Sequence, residues 1–185
     1  MKKPGRDPRR LPGGQHGIPR DVVERNQRER LIAAMAEVCA ELGYAAVAVA
    51  DITRQASVST ASFYKQFGDK HACLLASFEG LFGRLLEGVE EACEIERERD
   101  AKVKAGIRVA AELLASDTPT ARLLTVEIVA GGAEGVRLQH AAIERLAELS
   151  GEDWAIIAAM VALVARRVVN GEGLTAAELE RCISL

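Results

Sequence analysis

The 185-residue sequence predicts an all-α protein, and three observations carry that reading. Hydrophobic residues make up 49% of the chain but aromatics only 4%, with alanine, leucine and valine prominent; such a composition favours helix over sheet. After residue 20 the only proline is Pro119, so long stretches carry no helix breaker. Apolar residues recur three and four apart, the period of a helix that buries one face.

Residues 1–20 are the exception. They hold Lys2, Lys3, Arg6, Arg9, Arg10 and Arg20 against a single acid, Asp7, interrupted by Pro4, Pro8, Pro12 and Pro19. Too little apolar area is present to offset ordering, which predicts a basic arm without fixed structure. A first helix is expected over 21–42, capped by Asp21, with Leu31, Met35, Val38 and Leu42 forming one stripe. Gly43 supplies its left-handed end, after which Tyr44 can fold back. A short helix follows at about 48–55, with Val49, Ile52 and Ala56 on one face, and Ser57-Val58 makes a turn. Ser59 then caps a third helix over 60–67, whose Phe63 and Phe67 are four apart. Two short helices joined by a tight turn behind a longer one describe a helix-turn-helix, here at roughly 48–67.

Asp69 caps a long fourth helix reaching about residue 98, in which Gly80, Gly83 and Gly88 suggest close packing or a bend. Helices are then expected over 102–116, 120–130, 135–149 and 152–170, separated by Asp117-Thr118-Pro119, Gly131-Gly132 and Ser150-Gly151. A last short helix, capped by Thr175, should run to Ser184. The organisation expected is an arm (1–20), a three-helix unit (21–68) and a larger helical domain (69–185).

Charge divides along the same line. Residues 1–70 carry 12 Lys/Arg against 8 Asp/Glu, a net of +4, whereas residues 71–185 carry 12 against 19, a net of −7. A basic first part suits a polyanionic partner, although a solvated surface with accidental bias has the same balance. Cys39, Cys73, Cys93 and Cys182 lack the spacing of a zinc site, and His16, His71 and His140 are scattered, so no metal or cofactor is expected. No apolar run follows the basic N-terminus, and the longest apolar stretch ends at Arg166-Arg167, too short for a bilayer; a cytoplasmic location is expected. No GxSxG, P-loop, HExxH or paired-carboxylate constellation points to an enzyme.

From Arg28 to Leu75 the sequence resembles the tetracycline-repressor (TetR) family of bacterial regulators. The residues that carry the resemblance are Ala33-Ala34, Leu42-Gly43-Tyr44, Asp51-Ile52, Ala56-Ser57-Val58-Ser59, Phe63-Tyr64, Phe67, Asp69-Lys70 and Leu74, in register without a gap. There are departures: Thr53 replaces a small alanine, Ser57 replaces the glycine of the turn, and Val47-Ala48 stand where a capping threonine is usual. The resemblance implies an N-terminal DNA-binding unit followed by a helical domain for ligand binding and dimerisation. It implies that Thr60 and Ala61 face base edges in the major groove, that Ser62 reaches a base or phosphate, and that Ser59 opens this helix at the interface. Tyr64, Lys65 and Lys70 would contact phosphates, with Thr53 a weaker candidate.

By the same resemblance the chain would act as a homodimer on a palindromic operator, most simply as a repressor released by a small-molecule effector. Dimer contacts are expected from Ile156, Ala159, Met160, Leu163 and Val164, and effector contacts from Phe78, Phe82, Leu86, Leu123, Glu127 and Trp154. Glu127 stands out there, because a buried carboxylate needs a partner. The alternative is a co-regulator of the same fold that acts through protein contacts without binding DNA.

Overall fold

A computed structural model describes residues 19–183; all but the last two residues of the predicted arm, and Ser184, lie outside the described residues. Among the described residues there are nine α-helices, one 3-10 segment and no strand. Helix α1 (Arg20–Leu42) starts one residue before the expected cap, so Asp21 lies in its first turn, where a carboxylate favours the helix N-terminus. Leu31, Met35 and Val38 of the predicted stripe are buried, but Leu42 is about half exposed because the helix ends there at Gly43. Gly43 takes a φ of +71° and donates its N–H to the Cys39 carbonyl at 2.9 Å.

Helices α2 (Val49–Ala56) and α3 (Thr60–Gln66) lie against α1, with Ile52, Phe63 and Phe67 buried in the shared core. Helix α4 (Lys70–Ile95) joins this unit to the rest of the molecule. Its Asp69 cap accepts from the Ala72 N–H at 2.7 Å, an interaction of about 1 kcal/mol. Of its three glycines, Gly80 lies against Ile32 of α1, and Gly88 against Leu113 of α5 (Arg99–Ser116); nothing approaches Gly83. Burial pushes the Cys39 and Cys73 thiols up to about 12, which keeps both protonated within the core.

The single helix expected over 120–130 is divided. Helix α6 (Thr118–Thr125) ends at Val126, and Glu127–Gly131 is a 3-10 segment. A side chain from elsewhere supports the break: Gln139 Nε2 donates to the Leu124 and Thr125 carbonyls, both at 3.2 Å, which a continuing α-helix would give to its own N–H groups. Helix α7 (Gly132–Ser150) begins three residues earlier than expected, its first residue at a φ of +68°. Helices α8 (Trp154–Asn170) and α9 (Ala176–Ile183) follow. They are tied together by Arg167, which pairs with Glu172 at 2.8 Å and also with Glu178. Helices α4, α5, α7 and α8, with residues of α6 and α9, line a partly open cavity of about 120 Å³. No helix among the described residues is long and apolar enough to cross a membrane.

Candidate nucleic-acid interface

The outward face of the helix-turn-helix is set by which residues of α3 its core consumes. Phe63 is fully buried and Phe67 nearly so, and their rings meet at 5.6 Å. A helix that buries one face leaves the opposite face to solvent, and here Thr60, Ala61, Tyr64 and Lys65 are exposed. Tyr64 is 56% exposed; its ring stands edge-on to Phe63 at 5.3 Å, so the phenol is braced at its base and free at its tip. Ser59 Oγ accepts from the Ser62 N–H at 3.0 Å, and the two hydroxyls lie 3.0 Å apart. Ser59 therefore caps the helix as its sequence position predicts, and Ser62 is half-buried with its hydroxyl already engaged.

Two residues expected at the phosphates are placed otherwise. Thr53 is only 7% exposed, and its hydroxyl donates to the Ala50 carbonyl at 3.2 Å. It sits on the core side of α2 because Ile52 and Ala56 bury the same side. Lys70 turns inward. Its ammonium donates to the carbonyls of Tyr44 at 3.0 Å and Val47 at 2.8 Å, and lies 4.4 Å over the Tyr44 ring. A cation so engaged braces the connection between α1 and α2 rather than reaching a phosphate.

Other residues, not singled out by the motif, hold this unit in shape. Arg30, in the buried face of α1, donates to the Ala56 carbonyl and to the Ser57 carbonyl at 2.9 Å, fastening the turn before α3. Arg30 stands in the charged run Arg28-Glu29-Arg30 just before Leu31, so the sequence alone does not mark it as buried. The capping threonine absent before α2 is partly replaced by Asp51, whose Oδ2 accepts from the Ala48 N–H at 3.0 Å and whose Oδ1 pairs with Arg54 at 2.7 Å. Those two partners, the Ala48 N–H first, hold the Asp51 carboxyl below its ordinary range.

The turn itself carries strain. Ser57 is the one non-glycine described residue at positive φ, at +50° in the left-handed region. That conformation costs an L-residue about 1–2 kcal/mol, against about 0.5–1 kcal/mol of extra chain entropy lost by glycine. Ser57→Gly is therefore expected to stabilise the protein by about 0.5–1 kcal/mol, read as a higher denaturant midpoint at unchanged slope. A lower midpoint would show that the serine side chain contributes more than its backbone costs.

Glu127, 7% exposed, joins the helix-turn-helix to the larger domain rather than lining the cavity. One carboxylate oxygen accepts from the Tyr44 N–H at 2.8 Å, the other from Arg122 Nε at 2.8 Å. Arg122, Glu127, Tyr44 and Lys70 thus form one chain of contacts from α6 to the start of α4. Of the expected effector contacts, Phe78 and Phe82 do line the cavity, their rings stacked at 6.0 Å. Leu123 is wholly buried in the core on another side of α6 from the cavity residues Leu124 and Thr125; Leu86 and Trp154 also lie off the lining. Trp154 is instead 42% exposed, edge-on to His140 at 5.7 Å.

Helix α8 has two apolar faces, and the expected dimer contacts divide between them. Met160 and Val164 are buried and line the cavity of their own chain, which removes them from an intermolecular surface. Ala159 is exposed, and Ile156 and Leu163 are half-buried.

Residues 31–77 match the family model of the bacterial regulatory proteins, tetR family, in agreement with the resemblance read between Arg28 and Leu75. No curated protein matches the chain. Solved structures of similar fold include the fatty acid degradation regulator FadR from Bacillus halodurans, 19% identical, covering 86% of this chain and 93% of that one at a TM-score of 0.75. FadR from Bacillus subtilis in complex with stearoyl-CoA is 23% identical, covering 84% and 97%, with a TM-score of 0.66. A TetR family transcription regulator from Marinobacter aquaeolei VT8 is 16% identical, covering 90% and 95%, with a TM-score of 0.69. The chain therefore has the fold of tetR-family transcriptional regulators, with that family's sequence signature in its first three helices and the start of α4.

Proposed function

We propose that this chain, with a tetR-family signature on a tetR-type fold, is a DNA-binding transcriptional regulator that represses from a palindromic operator until a small molecule releases it. The observation that carries the reading is the division of α3: Phe63 and Phe67 face the core while Thr60, Ala61, Tyr64 and Lys65 face outward. A helix about 10–12 Å across fits the major groove, where hydroxyl and methyl groups meet base edges. Tyr64 and Lys65 are positioned for phosphates, and Lys70 acts indirectly by fixing the connection that leads into α2.

With one basic residue on α3, a single half-site contact is weak, so the proposal includes a homodimer that presents two such helices roughly 34–36 Å apart. Its contact surface is the outward face of α8, where Ala159, Ile156 and Leu163 remain after Met160 and Val164 turn inward. The effector site is the cavity among the helices, whose walls on α6 lead directly into the Glu127 segment. That the similar FadR structure is a complex with stearoyl-CoA supports a small-molecule ligand for a protein of this fold.

The test is selection of bound sequences from a random duplex library, followed by salt titration on the selected site. A two-fold symmetric site whose affinity falls steeply with salt is expected. Tyr64→Phe should weaken binding by about threefold to tenfold at every sequence, while Thr60→Ala should alter base preference at one position in each half-site. No bound duplex even at low salt would favour the alternative, a co-regulator acting through protein contacts.

A further inference from the structure

The cavity's lining has a chemical bias that narrows what can occupy it. No Asp, Glu, Lys, Arg or His lines it; the groups that bear polar side-chain atoms are Cys93, Thr125, Gln139 and Ser150. Each of their donors is already spent on the protein. Thr125 Oγ1 donates to the Ala121 carbonyl at 2.7 Å, and Ser150 Oγ to the Leu146 carbonyl at 2.8 Å. Cys93 Sγ lies 3.5 Å from the Lys102 carbonyl. Gln139 Nε2 is shared between the carbonyls of Leu124 and Thr125. What the Gln139 amide retains is its oxygen, which accepts no hydrogen bond from any described residue.

A ligand in this cavity therefore meets a wall that is almost entirely hydrocarbon, with neither a free donor nor a charge. A carboxylate or phosphate would enter with no cation and no N–H or O–H to receive it, and an ammonium would find no carboxylate. Size acts in the same direction. A dry protein cavity of about 150 Å³ holds benzene, so the space of about 120 Å³ within the helices suits a single ring or a compact aliphatic group.

We propose that the cavity binds a small, neutral, mainly hydrocarbon molecule bearing one hydrogen-bond donor, and that Gln139 Oε1 receives that donor. The assignment rests on the cavity being the effector site, and it specifies the chemistry of that effector. Because Gln139 also holds the carbonyls at the end of α6, the ligand's donor acts on the residue that separates α6 from the Glu127 segment.

Three ring compounds of similar size separate the alternatives: p-cresol with one donor, toluene with none, and benzoate, an anion at pH 7. Binding is measured by titration calorimetry on the protein alone, so the result does not depend on DNA. p-Cresol is expected to bind about threefold to tenfold more tightly than toluene, the effect of one net hydrogen bond, with benzoate showing no measurable binding. In Gln139→Leu the gap between p-cresol and toluene should close, and Ala142→Leu, which fills the cavity from α7, should weaken both by at least tenfold. Should Gln139→Leu fail to fold, the order of the three compounds on the unaltered protein decides alone. Benzoate or stearoyl-CoA binding as tightly as p-cresol, or toluene matching p-cresol on the unaltered protein, would overturn the assignment. p-Cresol that binds in the expected order yet leaves operator affinity unchanged would uphold the cavity chemistry and refute the effector role.

Discussion

Glu127→Ala is expected to destabilise the protein by about 2–4 kcal/mol, lowering its melting temperature by about 4–16 °C in calorimetry. The side chain is nearly buried and serves two partners at once, the Tyr44 N–H and Arg122 Nε, each at 2.8 Å. Truncation leaves a backbone donor unsatisfied, which costs about 1–3 kcal/mol, and leaves a guanidinium that is only 29% exposed without its carboxylate. Glu127→Gln keeps an acceptor for Tyr44 but sets an amide or a neutral oxygen against Arg122, so its cost should be smaller. The loss is local in its consequences. Tyr44 is where the connection from α1 to α2 is pinned, and Lys70 braces the same residue from the other side through its carbonyl. Amide exchange should therefore accelerate from Gly43 to Ala48 in Glu127→Ala while α7 and α8 keep their protection. A melting temperature unchanged within 2 °C would show that the pair stabilises nothing.

The same residue shows where sequence reading stops. That a buried carboxylate at 127 must have a partner follows from charge alone, but one partner is a backbone N–H 83 residues away, which no local spacing discloses. The helix-turn-helix was legible because its signals are local: Phe63 and Phe67 four apart, Ser59 as cap, Gly43 as terminator. Lys70 shows the limit of such local signals, since its place in the motif is clear while the direction of its side chain depends on the Tyr44 and Val47 carbonyls in the connection between α1 and α2. Helix α8 is apolar nearly all round, so its period does not say which apolar residues turn inward, and the resemblance alone does not separate Met160 and Val164 from Ile156, Ala159 and Leu163. The division of α6 was likewise hidden, because the side chain that interrupts it, Gln139, comes from the next helix.

Gly135→Ala should be nearly as damaging, and for a reason that returns to Glu127. A Cβ at position 135 would stand 2.0 Å from the Ile128 carbonyl oxygen and 3.1 Å from its carbon, both backbone atoms. A carbon and a carbonyl oxygen ordinarily approach no closer than about 3.3 Å. No rotamer relieves the clash; the 3-10 segment and α7 must part by more than an ångström. Overpacking of this kind costs typically about 1–3 kcal/mol, and backbone against backbone belongs at the upper end. The segment that must move begins at Glu127 itself, so the methyl group displaces the carboxylate from Tyr44 as well as separating the helices. Two substitutions that break one contact cannot each remove its full value. The double variant Glu127→Ala/Gly135→Ala should therefore be more stable than the summed single effects predict, with an interaction of about 0.5–3 kcal/mol in a double-mutant cycle. Strict additivity would mean that α7 can shift without disturbing Glu127, and the proposed route from the cavity wall through the 3-10 segment to the helix-turn-helix would be lost.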